Sequence, residues 1–111
     1  MTVVPELTPA QFRERWPEAP DSSDVVFLDV REPQEFTVAS IAGSLHIPMR
    51  EIPGRLEELD SEKPIVVICH VGARSRQVAG FLLTSGFKNV FNLSGGIDAW
   101  SLEIDPLVPR Y

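Results

Sequence analysis

The chain has 111 residues, 43% of them hydrophobic and 23% charged, which is the size of one ordinary domain with an average soluble composition. Asp and Glu outnumber Lys and Arg by 16 to 10, a formal net charge of −6, so a role in coating nucleic acid or an anionic membrane is disfavoured. One cysteine, Cys69, excludes an intramolecular disulfide and a cysteine-only zinc site, and the fold must rest on its core. The first twenty residues contain no apolar leader-like run, and no apolar run approaches the length of a bilayer span. The expectation is a reduced, soluble, cytoplasmic domain over residues 1–111, with a core at about 7–102 and an irregular tail at 103–111.

Along the chain, Val3 and Val4 suggest a short edge strand before Pro5. Thr8 followed by Pro9 reads as a helix N-cap with proline in the first turn, opening a helix over 10–16 that Pro17 stops. The densest loop-like patch is 17–24. Val25 to Val30 is nearly all apolar and β-branched, the pattern of a strand covered on both faces. A short helix is predicted over 33–39, a short strand over 44–47, and a helix over 53–59 with Leu56 and Leu59 on one face. Pro64 to Cys69 is the second continuous apolar strand. The best helix runs over 75–85, with Val78, Ala79, Leu82 and Leu83 as its apolar stripe and Gly86 just past its end. A third strand is predicted over 89–93. The Gly95-Gly96 pair then breaks the chain before a helical turn over 97–102. Alternating strands and helices imply an α/β fold, with a central, mainly parallel sheet and helices on both faces.

Chemistry concentrates where the second apolar strand ends at Cys69. Ligands of open α/β sheets bind beyond the carboxyl ends of the strands. The connection His70-Val71-Gly72-Ala73-Arg74-Ser75 is so short that it must curl, turning backbone N–H groups inward as an anion-binding nest. Gly72 permits a positive φ, the following helix adds the unpaired N–H groups of its first turn, and Arg74 adds a permanent charge. Each feature favours Cys69 as a thiolate, the nucleophilic form of the side chain.

The neighbouring polar residues have milder readings. Asp29, at the end of the first apolar strand, is read mainly as a structural carboxylate that fixes the loop or Arg31. Arg31 either lines the mouth of the site or pairs with Glu32, Glu35 or Asp29. His70 is expected to face solvent or a partner, and Ser75 to cap the helix. Cys69, His70 and His46 lack the number and spacing of a metal site.

Taken together, these residues resemble the rhodanese family of single-domain sulfurtransferases. Cys69-His70-Val71-Gly72-Ala73-Arg74-Ser75 is similar to its Cys-x-x-Gly-x-Arg-Ser loop. Leu28-Asp29-Val30-Arg31-Glu32 with Glu35-Phe36 resembles its Asp-Val-Arg and Glu-Phe signature, and Ile41-Ala42-Gly43-Ser44 with His46-Ile47-Pro48 a further segment. Leu93-Ser94-Gly95-Gly96 with Ala99-Trp100 resembles its closing element. The chain departs from the family at Ser44, at His46 where asparagine is common, and at His70 and Val71, where many members carry Arg or Lys.

The resemblance implies a sheet of about five strands. It also implies transfer of a sulfane sulfur from a donor such as thiosulfate to a thiol, cyanide or protein acceptor through a Cys69 persulfide. Residues 70–75 would hold the sulfur, Asp29 and Arg31 would stand behind them, and no metal or organic cofactor is implied. A persulfide carrier in a biosynthetic relay and a non-catalytic binding module are the alternatives. Cysteine phosphatases use Cys-x5-Arg, whereas four residues separate Cys69 from Arg74 here. The tighter ring suits one terminal sulfur better than a tetrahedral phosphate.

Overall fold

The computed structural model describes residues 2–19 and 24–111; part of the loop-like patch at 17–24 therefore lies outside the described residues. Five strands, β1 (Glu6–Leu7), β2 (Val26–Asp29), β3 (Leu45–His46), β4 (Ile65–Ile68) and β5 (Val90–Leu93), form one sheet in the order β1-β5-β4-β2-β3. All four pairings are parallel. The α-helices are α1 (Pro9–Arg15), α2 (Pro33–Val38), α3 (Ala73–Thr84) and α4 (Gly96–Glu103).

The central strands are apolar on both faces because both faces are covered. In β2 and β4, alternate residues point to opposite sides. Phe27, Val66 and Ile68 pack with Phe12 of α1 and Ile97 and Trp100 of α4. Leu28, Val67 and Cys69 pack on the other side with Val78, Ala79 and Leu82 of α3. Cys69 thus follows β4 on the α3 side of the sheet, and α4 begins on the opposite side of the same strand end.

Local chemistry explains most boundaries. Thr8 caps α1, accepting from Gln11 N at 3.1 Å while Gln11 Oε1 accepts from Thr8 N at 2.9 Å, a reciprocal capping box. The edge strand is displaced from its predicted place at Val3 and Val4. Val3 is exposed, and the ladder with β5 starts when Asn92 N donates to Pro5 O. Pro5 cannot donate but accepts freely, so the strand begins just after it. The helix predicted over 53–59 is instead two 3₁₀ segments, Met49–Gly54 and Leu56–Glu58. Pro53 has no N–H for an α-helical bond, and tighter three-residue bonds such as Arg55 N to Ile52 O (3.0 Å) replace it. Helix α3 begins two residues earlier than predicted. The tail after Glu103 forms no regular element, yet it belongs to the packed structure: Val108 is buried against the α1–α4 side, and its carbonyl accepts from Ser101 Oγ.

Phe12 joins the layers on that side. It is fully buried, and its ring centroid lies 5.0 Å from that of Phe27 and 5.6 Å from that of Trp100. Phe12→Ala is expected to cost about 3–5 kcal/mol, read as a lower midpoint in guanidinium unfolding.

Candidate active site

The site is built where β4 hands over to α3. Cys69 is buried (1% exposed). Its Sγ accepts from Gly72 N at 3.1 Å and lies 3.3 Å from Ser75 Oγ. Gly72, at φ +112°, is the N-cap of α3, a left-handed conformation that suits glycine. The reversal there sends the Gly72 N–H back to the sulfur and starts the helix at Ala73. Ser75 therefore sits inside the first turn and does not cap the helix, contrary to the sequence reading. Of the remaining loop residues, Val71 and Ala73 are exposed and Gly72 is buried.

The other side of the loop is held by α4. Ile97 N donates to Cys69 O at 2.9 Å, and Asp98 N donates to His70 O at 3.2 Å. Two free N–H groups of a helix N-terminus thus take the two loop carbonyls. Gly96, at φ +60°, makes this approach possible: a Cβ there would lie 2.4 Å from both carbonyl oxygens. With its carbonyls drawn to α4, the loop keeps N–H groups for the sulfur side.

Arg74 is engaged by an acid. Its guanidinium makes a bidentate pair with Glu35 at 2.6 and 2.9 Å, and Glu35 also accepts from Tyr111 Oη at 2.7 Å. The hydrogen bonds from Arg74, more than any other influence, hold the Glu35 carboxyl at about 2, against an ordinary 4.5. The charge that the sequence assigned wholly to the sulfur is thus shared. Arg74 and Arg76 both lie within electrostatic reach of Cys69, so α3 presents two cations there rather than one. A cavity of about 360 Å³ between Val30, Glu32, Met49, Arg50 and Pro53 has Arg74 in its wall.

Asp29 and Arg31 resolve toward the ion-pair reading. Arg31 is fully buried and does not line an open mouth. Its Nη2 lies 2.7 Å from Asp29 Oδ2, and it also donates to Ala39 O, Glu35 O and Tyr111 Oη. A buried guanidinium needs this many acceptors to offset its lost hydration, and the result ties the end of β2 to α2. His70 is not free in solvent: it is half-buried, its ring stacks on Tyr111 at 4.1 Å, and its Nε2 bonds Tyr111 O at 2.9 Å. His46 is occupied elsewhere, stacked on Phe36 and bonded to Arg31 O.

The pattern of strand-end cysteine, short loop and supporting glycine helix has known relatives. The model of the rhodanese-like domain matches residues 12–103. The chain belongs to the rhodanese-like family. An Arabidopsis thaliana rhodanese-like/PpiC domain-containing protein is 46% identical over 88 residues, covering 76% of this chain but only 29% of that protein. A sulfurtransferase of Allochromatium vinosum is 39% identical over 88 residues, covering 79% and 82% of the two chains. The crystal structure of a rhodanese-related protein from Thermoplasma volcanium superposes with a TM-score of 0.78 at 33% identity, covering 90% and 93%. This rhodanese-like chain thus has the family's five-stranded parallel sheet with helices on both faces. No helix among the described residues is long and apolar enough to cross a membrane.

Sequence reasoning named Glu35 as a partner for Arg31 rather than for Arg74, and it missed three residues that build the site of this rhodanese-like domain: Glu6, Asn92 and Tyr111. Asn92 carried a usable signal, because an amide inside an apolar strand must find partners there. The others act through contacts between distant parts of the chain.

Gly96→Ala is expected to displace the Cys69 loop or abolish soluble folded protein, read by circular dichroism and the rate of Cys69 alkylation. Glu35 gives a pH signature. Its carboxyl lies lower in the folded than in the unfolded chain, so its contribution to stability is present above about 4.5 and lost as pH falls toward about 2. Glu35→Gln is expected to flatten that part of the melting-temperature profile.

Proposed function

We propose that this chain is a sulfurtransferase that carries sulfane sulfur on Cys69. The observation that supports the reading best is the placement of Cys69 Sγ after the central strand β4, with the Gly72 N–H on it at 3.1 Å and the loop carbonyls turned away to α4. The Cys69 thiolate attacks the outer sulfur of a donor such as thiosulfate. The sulfur–sulfur bond of the donor breaks, and sulfite leaves with the electron pair. A Cys69 persulfide remains, its outer sulfur lying over the N–H groups of the loop and the first turn of α3. A thiolate or cyanide acceptor then attacks that outer sulfur and expels Cys69 as thiolate. The bond lost in each half-reaction is matched by one gained, so the cycle balances without a metal or organic cofactor. A protein acceptor, and a place in the cytoplasm, fit the same reading.

The experiment is intact-mass analysis after incubation with thiosulfate. The wild-type protein is expected to gain one sulfur atom that a reductant removes, and to pass it to cyanide as thiocyanate. Cys69→Ala and Cys69→Ser are expected to stay folded and to show neither the gain nor transfer above background. Transfer at the wild-type rate by either variant defeats the assignment. Loading from a persulfide donor but not from thiosulfate would instead assign the chain to the carrier class.

A further inference from the structure

Behind Cys69 stands a chain of polar side chains that the mechanism above does not use: Ser75, Asn92 and Glu6. Ser75 and Asn92 are fully buried. Asn92 lies on β5, and its amide can be oriented in only one way. Gly72 O at 3.2 Å and the two Glu6 carboxylate oxygens at 3.0 and 3.2 Å all face one of its terminal atoms. All three are acceptors, so that atom must be the NH₂ nitrogen. The carbonyl oxygen Oδ1 therefore points the other way, onto Ser75 Oγ, which it contacts as an acceptor. Glu6 is itself fixed by Ser94 Oγ and Arg76.

A serine hydroxyl has one proton, and Ser75 has two acceptors in range, Asn92 Oδ1 and Cys69 Sγ. We infer that Asn92, held by Glu6, is a positioning residue that makes the Ser75 hydroxyl follow the charge on Cys69. When Cys69 is a thiol, its S–H donates to Ser75 Oγ and the hydroxyl donates to Asn92 Oδ1. When Cys69 is a thiolate, the hydroxyl turns to Sγ, where a charged acceptor outcompetes an amide oxygen. Once a second sulfur is attached, Sγ is neutral and the hydroxyl returns to Asn92. Ser75 thus stabilises Cys69 as nucleophile and as leaving group, the two moments at which Sγ is an anion, and releases the sulfur between them. No bond to carbon or sulfur changes in this motion; a hydroxyl proton rotates between two acceptors.

The inference rests on Cys69 being the reactive group. It carries an unusual sign. The thiolate form leaves Asn92 Oδ1 without its donor, a cost that a buried acceptor feels. Removing that oxygen should therefore favour the thiolate. The test is the pH profile of Cys69 alkylation by iodoacetamide, which does not depend on sulfur transfer and so can fail separately from the proposed function. Ser75→Ala is expected to move the midpoint up. Asn92→Ala is expected to move it down, by about half a pH unit, and to have no effect in a Ser75→Ala background. The other charged and titratable groups around the loop stay unchanged in these variants: Arg74 and Arg76 on α3, Glu35 on α2, His70 beside Cys69, Asp98 on α4, and the Asp29–Arg31 pair at the end of β2. If Asn92→Ala does not fold, Glu6→Gln, at the exposed edge strand, carries the same cycle with a smaller downward shift. A direct charge effect of Glu6 would survive in Ser75→Ala, whereas an effect relayed through Asn92 would vanish. A midpoint that stays or rises in Asn92→Ala, or a shift that persists without Ser75, overturns the inference and leaves Asn92 as an anchor of the Gly72 carbonyl.

Discussion

The N–H groups of Ile97 and Asp98, pressed onto the carbonyls of Cys69 and His70, are the contact on which the site depends. A loop of a few residues has as many carbonyls as N–H groups, and left alone it would present both to a ligand. By drawing the carbonyls to α4, the protein sorts the two kinds of dipole onto opposite sides. On the sulfur side the Gly72 N–H and the Ser75 hydroxyl then meet Sγ without any hydrogen bond from a charged side chain. Gly96 is required because the helix and the loop meet backbone to backbone.

The charged residues occupy the next layer, where they are paired. Asp29 and Arg31 are spent on one another beneath α2, and Arg74 is held by Glu35. This arrangement limits the penalty of placing ions near a buried sulfur, since each cation keeps a compensating anion. Tyr111 links the two pairs. Its hydroxyl touches both Arg31 and Glu35, and its ring covers His70. A residue far along the chain from the loop thereby joins its surroundings.

Much of this was legible in the sequence because it is local. The apolar runs ending at Asp29 and Cys69, the Thr8-Pro9 cap and the Gly72 reversal each depend on residues within a few positions of one another. The same holds for the loop: a glycine three residues after a strand-end cysteine, with a helix close behind, leaves few geometries. What could not be read is carried by long separations. Arg74 meets Glu35 across 39 positions, and Asn92 meets Glu6 across 86. The serine was assigned to a cap because caps are the commonest use of serine near a helix start. Its placement inside the first turn follows from α3 opening at Ala73, two residues ahead of the predicted start. The 3₁₀ segments were misread because a proline weakens an α-helix without showing which tighter turn replaces it.

The strand order has a consequence for synthesis. Both α4, which takes the loop carbonyls, and β5, which carries Asn92, lie downstream of Cys69, and β1 can pair only with β5. In chain order, Cys69 therefore comes before the helix and the last strand that hold its loop in place. Some thirty residues, roughly seconds of synthesis at ordinary elongation rates, separate Cys69 from the N–H groups of α4 that take the loop carbonyls. The support of the Cys69 loop is thus completed late by topology alone, when the first strand pairs with the last.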